Sequence, residues 1–594
     1  MSKKLLNVLL VVMMLAVLVP TAMAAPPVQE GGQDYVVVAD DWLSKLADKY
    51  LGNPMAYSAI VTYTNQKNAE DASYAKITNP DLIEVGWKIY IPSAEEVAAA
   101  EVAFAVPGKR GGTLHLFTSQ TIGRIDPITT QANYLQVLAR QLYGQLVLYK
   151  TGTWEVIPDL AKSWDVSEDG LTYTFTMRPD LKFHDGSPIQ LSDVVFSLER
   201  ARSEVSVWQD SYANVDSIEA DSNKNAVVLR LSASDPFLLE KLAAIGGSAI
   251  VPQAAVEKYG DEFATKVENT IASGPYRLIE KSETEQMWER FGDFPEPGYV
   301  EKISWRTIPD RKTQRLEFEA GSVDAILSVL EAEDAERFRT DPQFDRHYKE
   351  FVAPDRTWYG FNPTMKPFDD IRVRQAIAMS IDMDKVVQVW GMARSAHTLI
   401  HPDLPGYNPS LVVYSKDLDK AKALLEEAGY SDGLDVELYI WNISRFVPMG
   451  EVVQQQLAEA DIRVDLRVIE FGTFMSEVRK GSYPFFINLA NIGVPDSAQL
   501  LYNSFHSEGP FTTGYQNDGV DRLLEEAIEE RDLARRAQLA AEAEKLILKD
   551  AMAIPIMDRY AATVFQPWVH GIEDITPIYP HHRYNEVWLD PEHR

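Results

Sequence analysis

The sequence predicts an α/β fold built from several structural units. From residue 418 to residue 469, segments with helical periodicity alternate with strand-like segments, which is typical of an α/β sheet. Earlier, residues 171–178 alternate strictly between large apolar and polar side chains, the pattern of a strand buried on one face. The chain has 594 residues, 45% of them hydrophobic. This is enough for more than one hydrophobic core, so we expect a multi-lobed protein.

The composition excludes several partners and chemistries. The formal net charge is -31 and the pI is near 4.8. This argues against nucleic acid as a partner, because phosphate binding needs a clustered basic surface. The chain contains no cysteine, which excludes disulfides, thiolate metal sites and a lipid-modified cysteine anchor.

The first 24 residues read as a cleaved signal peptide. Lys3 and Lys4 precede an apolar run over 5–19, and Ala24 ends a small-residue motif that a signal peptidase reads. The alternative is an uncleaved membrane anchor, but the apolar run is shorter than the roughly 20 residues that a spanning helix needs. We therefore predict a secreted protein, periplasmic or associated with the cell surface or wall, and not lipid-anchored.

Residues 34–93 have the pattern of a small separate module. A strand begins at Tyr35, a helix follows from Trp42, and Pro54 can start a second helix. A short strand over 89–91 closes the module. The predicted element order is βααβ.

The main body begins after an alanine- and glutamate-rich stretch. Residues 94–109 carry few large apolar side chains, so we predict a semi-helical linker that packs little. The run from Gly111 to Leu116 then reads as the first strand of the body. The linker separates two domains.

The stretch from Pro158 to Arg200 contains ordered folding signals. A turn at Glu168-Asp169-Gly170 precedes the alternating strand, and a second turn lies at His184-Asp185-Gly186. Ser192 is a candidate N-cap for the helix that follows. We interpret His184 and Asp185 as structural turn residues rather than a catalytic pair.

The second half of the chain gives the clearest alternation. A helix over 418–428 ends at Gly429, which suits a left-handed cap. A strand over 434–440, a helix over 451–460 and a strand over 462–469 follow. In such sheets ligands bind at strand ends and lobe junctions, so these ends are candidate site positions.

Motifs along the body together resemble one family. The stretch 158–200, the Gly-Pro-Tyr turn after Ser273, and the motifs within 361–382 resemble the extracytoplasmic solute-binding proteins of ABC importers, family 5, of the peptide, nickel and oligosaccharide type. The resemblance implies a two-lobed periplasmic-binding-protein fold, type II, in its large three-subdomain form. It covers 110–594, divided into lobe I (about 110–150, 251–355 and 566–594), an extra subdomain (about 151–250) and lobe II (about 356–565).

The small module resembles a different family. Its opening, YVVVADDWLSKLADKYLGNP, and its end, NPDLIEVGWKIYIP, resemble a LysM domain. Ala39-Asp40-Asp41-Trp42 stands where that family usually has Gly-Asp-Thr. The resemblance implies that residues 34–93 recognise cell-wall glycan that contains N-acetylglucosamine.

Sequence motifs of enzymes are missing. The ten histidines form no HExxH pair, and the chain has neither a Gly-x-Ser-x-Gly elbow nor a Walker phosphate loop. We therefore predict a binding protein with no catalytic residues, no cofactor and no metal. A glycan hydrolase is the enzymatic alternative, and it would need two facing carboxylates in the cleft.

The most specific ligand-binding candidates lie in the segment that starts at Asn488. The resemblance implies that peptide-binding relatives carry a tryptophan at the position of Asn488 and, at the position of Asn491, an aspartate that holds the ammonium group of the ligand. An amide carries no full charge, so its hydrogen bond to a ligand ammonium group would have about half the strength of the charge-assisted contact that an aspartate makes. Neutral, polyhydroxylated ligands become more attractive, or Asp496 takes the anchoring role.

Aromatic and charged residues complete the predicted site. A binding cleft needs flat apolar surfaces beside hydrogen-bonding groups. Adjacent residues of a strand face opposite sides, so of Trp358 and Tyr359 only one can line a cleft. Arg394 and His397 lie in residues 390–402, which resemble a loop that contributes to the ligand cleft in this family. We expect them either to bind a carboxylate or sugar hydroxyls of the ligand there, or to lie on the surface. The remaining aromatic candidates are Tyr134, Trp390 and Trp441.

Three interpretations of function follow. The first is the substrate-binding component of an ABC importer, which captures an oligopeptide-like solute by lobe closure and delivers it to the permease and ATPase subunits. The second is an oligosaccharide receptor of the same family. The third is a cell-wall-tethered glycan-binding or scaffold protein that acts through residues 34–93.

Overall fold

The protein is described by a computed structural model, and its chain folds as two compact units, Met1–Arg110 and Gly111–Arg594. The described residues are 32–38, 41–51, 57–77, 83, 85–93, 96, 110–129, 132–244, 246–328, 330–443, 445–511, 513–573, 575 and 582–593. The predicted signal peptide, the predicted helix start at Pro54 and all of the predicted linker except residue 96 lie outside these ranges. Within the described ranges, every helix is too short or too polar to cross a membrane.

The first unit has the predicted element order. Its elements are β1 (Gln33–Val36), α1 (Leu43–Leu51), α2 (Tyr57–Glu70) and β2 (Lys88–Ile91). The two strands pair antiparallel, and Leu46, Ile60 and Ile89 are buried between strands and helices. This confirms the βααβ order, whereas the relation to LysM domains stays a prediction.

The second unit contains three larger sheets. Its strands are β3 (Thr113–Thr118), β4 (Val147–Tyr149), β5 (Val156–Pro158), β6 (Ala161–Val166), β7 (Thr172–Met177), β8 (Val215–Asp221), β9 (Ala226–Leu231), β10 (Tyr276–Lys281), β11 (Glu285–Arg290), β12 (Lys302–Thr307), β13 (Ala325–Ser328), β14 (Tyr348–Val352), β15 (Asp355–Phe361), β16 (Ala393–Ser395), β17 (Leu434–Trp441), β18 (Ile462–Ile469), β19 (Phe485–Asn491), β20 (Ala553–Phe565), β21 (Val569–His570) and β22 (Trp588–Leu589).

The α-helices of the second unit lie mainly between these strands. They are α3 (Asn133–Leu142), α4 (Leu191–Arg202), α5 (Leu238–Ala243), α6 (Gln253–Tyr259), α7 (Arg311–Glu319), α8 (Ala332–Thr340), α9 (Ile371–Ser380), α10 (Met383–Gln388), α11 (Leu418–Glu427), α12 (Phe446–Ala458), α13 (Phe471–Arg479), α14 (Ser497–Phe505), α15 (Asp518–Glu529) and α16 (Leu533–Lys549).

Two four-stranded sheets form early in this unit. One has the order β10-β11-β12-β3, and the other has the order β6-β7-β9-β8. The predicted alternation in β7 is confirmed, because Tyr173, Phe175 and Met177 are buried and their neighbours are half-buried. Each sheet contributes to its own hydrophobic core.

The predicted N-cap of α4 is wrong. The helix begins at Leu191 after Gln190, so Ser192 is already a helical residue. The carboxylate of Asp193 accepts a hydrogen bond from the Gln190 amide at 3.0 Å. This contact satisfies a helix-terminal donor and places the helix start two residues earlier than predicted.

The largest sheet has eight strands. Its order is β13-β20-β15-β19-β17-β18, and β14 and β16 also pair with β20. The predicted strand over 462–469 is confirmed at both ends. The predicted cap is confirmed too, because Gly429 has φ +90° directly after Ala428, the C-cap of α11.

The long strand β20 links two hydrophobic cores. Its N-terminal half contributes Ile556 and Met557 to the core around β17 and β19. Its C-terminal residue, Phe565, packs with Leu114 of β3 and Trp288 of β11. The chain therefore crosses from one core to the other along this strand, whereas the predicted lobe boundaries stay predictions.

Candidate functional site

Strand ends of the eight-stranded sheet meet at one edge. Strands β17, β18 and β19 run parallel, so their last residues, Trp441, Ile469 and Asn491, lie at the same edge. Strand β15 runs antiparallel to β19, and its first residue, Asp355, pairs with Asn491. This edge has the geometry in which α/β sheets bind ligands.

At the same edge the chain crosses between the two cores, from β14 to β15 and along β20. We call this region the crossing. Strands β14 and β15 lie along one side of β20, and β16 lies along its other side. At the crossing, the Ala353 amide donates to the Arg559 carbonyl at 2.7 Å. The Arg559 Nε donates to Asp355 at 3.0 Å. The site edge is therefore joined directly to the segments that connect the two cores.

A buried ion network lies on one face of this crossing. Asp558 of β20 binds Arg356, which is 2% exposed. The other oxygen of Asp558 accepts a hydrogen bond from Arg394 Nε at 2.8 Å, and the Arg394 side chain is 50% exposed. The hydrogen bond to Asp558 raises the pKa of Arg394. One carboxylate thus holds two guanidinium groups, one buried and one facing solvent.

A second charged cluster surrounds Trp390 on the opposite face. The guanidinium carbons of Arg445 and Arg559 lie 5.4 and 5.5 Å from the Trp390 ring centroid, close enough for cation–π attraction. Arg445 also forms an ion pair with Glu331, which in turn binds Arg311 of α7. Trp390, a predicted site residue, is thus flanked by two arginines that the sequence analysis did not single out as site residues.

The predicted ammonium-binding positions are neutral or already occupied. Asn488 is half-buried, and its Oδ1 accepts from the Leu489 amide at 3.0 Å. Asn491 is exposed at the end of β19. Asp496 is the N-cap of α14 and forms an ion pair with Arg536 at 2.8 Å. Their role as ligand contacts stays a prediction.

Trp358 and Tyr359 are packed in two different cores. Trp358 is 3% exposed and lies 5.6 Å from the Phe505 ring. Tyr359 is fully buried in the core on the other face, and its hydroxyl has no hydrogen-bond partner in the described structure. Burial raises the pKa of Tyr359. The two rings face opposite sides of the sheet, as predicted, but both of them, rather than one, are buried in hydrophobic cores.

The remaining predicted residues do not converge on one pocket. Trp441 is half-buried against Phe471, at 4.7 Å between ring centroids. Tyr134 packs against the core of the β3 sheet. His397 lines a cavity of about 200 Å³ with Asp382, Asp384 and Lys416, and Arg394 is not part of its lining.

Sequence reasoning missed the charged residues at the crossing. These are Asp355, Arg356, Asp558, Arg559 and Arg445. A signal was present. The dipeptide Asp-Arg occurs five times in the chain, and two of these occurrences, at 355–356 and 558–559, fall within strands that are otherwise largely apolar or aromatic. Charged residues are rarely buried unless they are paired, so each dipeptide indicated an ion pair.

Contacts outside the crossing also join distant segments. Arg531, between α15 and α16, donates to the Glu168 carbonyl at 2.7 Å and to Ser234 at 3.2 Å. The guanidinium of Arg536 lies 4.7 Å from the Phe237 ring centroid. These contacts connect the helices of the large sheet to the sheet that contains β7. Among the described side chains, no group of three or more His, Asp or Glu is placed to hold a metal ion.

Comparisons with known proteins agree with this architecture. The chain is 26% identical to the dipeptide-binding protein of Escherichia coli K12 over 480 residues, covering 75% of this chain and 88% of that protein. It is 28% identical to the glutathione-binding protein GsiB of Pectobacterium atrosepticum over 485 residues, covering 77% and 90%. The structure of HbpA2 from Haemophilus parasuis superposes with a TM-score of 0.73 at 23% identity, covering 80% of this chain and all of that one. The family model described as bacterial extracellular solute-binding proteins, family 5 middle, matches residues 155–511, so the chain belongs to this family.

Proposed function

We propose that the protein captures an oligopeptide-like solute outside the cytoplasm by closing two lobes and delivers it to the permease of an ABC importer. Solute binding rather than catalysis, and an extracytoplasmic place, follow from family membership. The observation that carries the proposal is the arginine-rich sheet edge at the crossing strands β14–β15 and β20. Relatives named as dipeptide-binding and glutathione-binding proteins support the peptide class.

Lobe closure is supported by the way the unit is connected. The crossing consists of β14–β15 and the 13-residue strand β20, and the contacts of Arg531 with Glu168 and Ser234 involve other segments. Such contacts can break and form while the crossing strands stay paired. A ligand that contacts both sides then shifts the equilibrium towards the closed state, because it binds that state more tightly.

An oligosaccharide is the second candidate ligand. Asn488 and Asn491 are neutral amides at the edge, and amides both donate and accept hydrogen bonds with hydroxyl groups. The same lobe closure would enclose a sugar. The two candidate ligands differ in charge, because a free peptide has charged ends and a neutral oligosaccharide has none.

Calorimetric titration separates these ligands. We expect the mature protein to release or absorb heat with a pool of di- to pentapeptides and to show no response to a pool of neutral oligosaccharides. Small-angle scattering on the same samples should show a smaller radius of gyration when peptide is bound. Binding of the neutral sugars alone would contradict the peptide proposal and support the second candidate.

We also propose that residues 34–93 tether the protein to cell-wall glycan. Trp42 is 55% exposed, and Lys45 lies 4.6 Å from its ring centroid. Val38 and Val85 are exposed as well. An exposed tryptophan offers a flat apolar surface against which a sugar ring can stack.

Deletion of residues 34–92 should release the protein from washed cell walls. We expect Trp42→Ala to weaken co-sedimentation with purified walls several-fold, while Val166→Ala, an exposed apolar residue of the second unit, leaves it unchanged. Peptide binding should persist in all three variants. Equal sedimentation of the deletion variant and the full chain would disprove the tether.

A further inference from the structure

We propose that the solute is anchored through a carboxylate at Arg394 and not through an ammonium group. This inference rests on the proposed function and adds to it the charge that the site recognises. At the crossing the carboxylates are already paired, whereas Arg394 has donors that remain available.

The carboxylates at the crossing are already held by arginines. Asp558 binds Arg356 and Arg394, and Glu331 binds Arg311 and Arg445. A ligand ammonium would have to displace one of these guanidinium groups.

Two further carboxylates, Asp355 and Asp496, are held in the same way. Asp355 is fully buried and accepts from Arg559. Asp496 accepts from two helix amides and from Arg536. Removing a partner from a buried charge is costly, so these carboxylates are poor anchors for a cation.

Arg394 is in the opposite situation. It donates to Asp558 through Nε only, so its two Nη atoms have no partner among the residues that the structure describes. Half of its side chain is exposed. The paired Nη donors of a guanidinium match the two oxygens of a carboxylate.

The orientation of Arg394 is fixed before a ligand arrives. Its partner Asp558 is buried and held by Arg356, which also donates to the Thr398 carbonyl at 2.8 Å. Arg394 itself lies on β16, directly paired with Asp558 on β20. A preorganised donor loses less entropy on binding than a mobile one.

The surroundings of Arg394 also suit a small organic acid. The hydrogen bond to Asp558 raises the pKa of Arg394, and Tyr560 and Tyr407 add to this rise. Tyr560 follows the crossing residue Arg559, and its amide donates to the Met392 carbonyl at 2.9 Å. Ligand sites combine aromatic side chains with a few precisely placed polar groups, and the two tyrosines near Arg394 fit this composition.

A test compares one tripeptide pool in four chemical forms: free, N-acetylated, C-amidated, and modified at both ends. We expect N-acetylation to change the Kd less than threefold. We expect C-amidation to weaken binding about ten- to a hundredfold, the range for a lost charge-assisted hydrogen bond. Arg394→Gln should bind the free pool as weakly as the wild type binds the amides, and it should no longer distinguish acid from amide. Arg394→Lys should keep part of the preference.

Arg467→Gln is the matched control, because this arginine of β18 pairs with Glu437 and Asp465, and β18 is the fourth strand from β20 in the sheet order. It should leave both affinities unchanged. Equal binding of acid and amide, or loss of binding on N-acetylation, would overturn the carboxylate anchor while leaving peptide binding intact.

A hexuronate and its neutral hexose serve as a second probe pair. If no peptide form binds but the hexuronate does, and Arg394→Gln abolishes this binding, the carboxylate anchor holds and the peptide proposal fails. Binding of the neutral hexose alone, or of neither sugar and no peptide, overturns both.

Discussion

Replacing Asp558 by asparagine is expected to destabilise the protein by about 3–5 kcal/mol, the range for removing one partner of a buried ion pair. The substitution leaves Arg356, which is 2% exposed, without its carboxylate. It also frees Arg394 from the contact that orients it. We therefore expect both a lower free energy of unfolding and weaker binding of free-acid peptides.

Urea unfolding followed by far-UV circular dichroism measures the first effect. The control is Asp435→Asn, because Asp435 and Arg463 form an ion pair in which both side chains are largely exposed. Pairs of that kind contribute about 0–1 kcal/mol. A loss below 1 kcal/mol for Asp558→Asn would contradict the central role of this network.

Arg394→Gln separates the two roles of Asp558. It removes the ligand-facing guanidinium but leaves Arg356 and Asp558 paired. We expect this variant to keep most of the wild-type stability while losing the preference for free acids. Stability and recognition at the crossing would then be distinguished within one network.

The periodic parts of the fold could be predicted from the sequence. The sequence predicts both ends of β18 because its apolar residues alternate with charged ones. The strand β7 was predicted because its apolar side chains face a core and its threonines do not. Local patterns suffice when one face of an element is buried and the other is not.

The start of α4 shows the limit of such patterns. Ser192 is a good N-cap by residue type, but Asp193 can satisfy the Gln190 amide from within the first turn. Which of two polar residues caps a helix depends on backbone geometry that the residue types do not determine.

The candidate site could be predicted only in part. Trp390 is an aromatic candidate and Arg394 comes from the loop that resembles the family's cleft loop. Trp390 lies beside Arg559 of β20, and Arg394 lies on β16, whereas their roles as ligand contacts stay predictions. Their partners Asp558 and Arg559 are more than 160 residues away in the chain. The pairing of β16 with β20 brings them together, and no periodicity within one segment indicates such a pairing.

Aromatic residues were the weakest site predictors. Trp358 and Tyr359 were candidates because clefts use aromatic surfaces, but cores use the same surfaces. Whether an aromatic ring belongs to a core or to a cleft depends on the residues that pack around it. For Trp358 and Tyr359 these apolar residues come from distant helices and strands. Charged residues within apolar strands are the more specific signal in this chain.

The second large effect is expected at a buried ion pair near the C-terminus. Arg583 binds both oxygens of Asp159, at 2.5 and 2.6 Å, and both side chains are largely buried. Arg140 lies fully buried nearby, and burial, together with Arg583, lowers its pKa to about 9. Asp159 is thus the carboxylate that compensates two neighbouring guanidinium groups.

Asp159→Asn should therefore lower the free energy of unfolding by about 3–5 kcal/mol. Thermal unfolding by calorimetry would show a lower midpoint, with the 582–584 segment the first to become accessible in hydrogen exchange. The double variant Asp159→Leu with Arg583→Met removes both charges of the pair, and we expect it to lose less stability than Asp159→Asn alone. If the double variant is the less stable of the two, the cost comes from lost packing rather than from an uncompensated charge. The pair then would hold the C-terminal segment by shape and not by electrostatics.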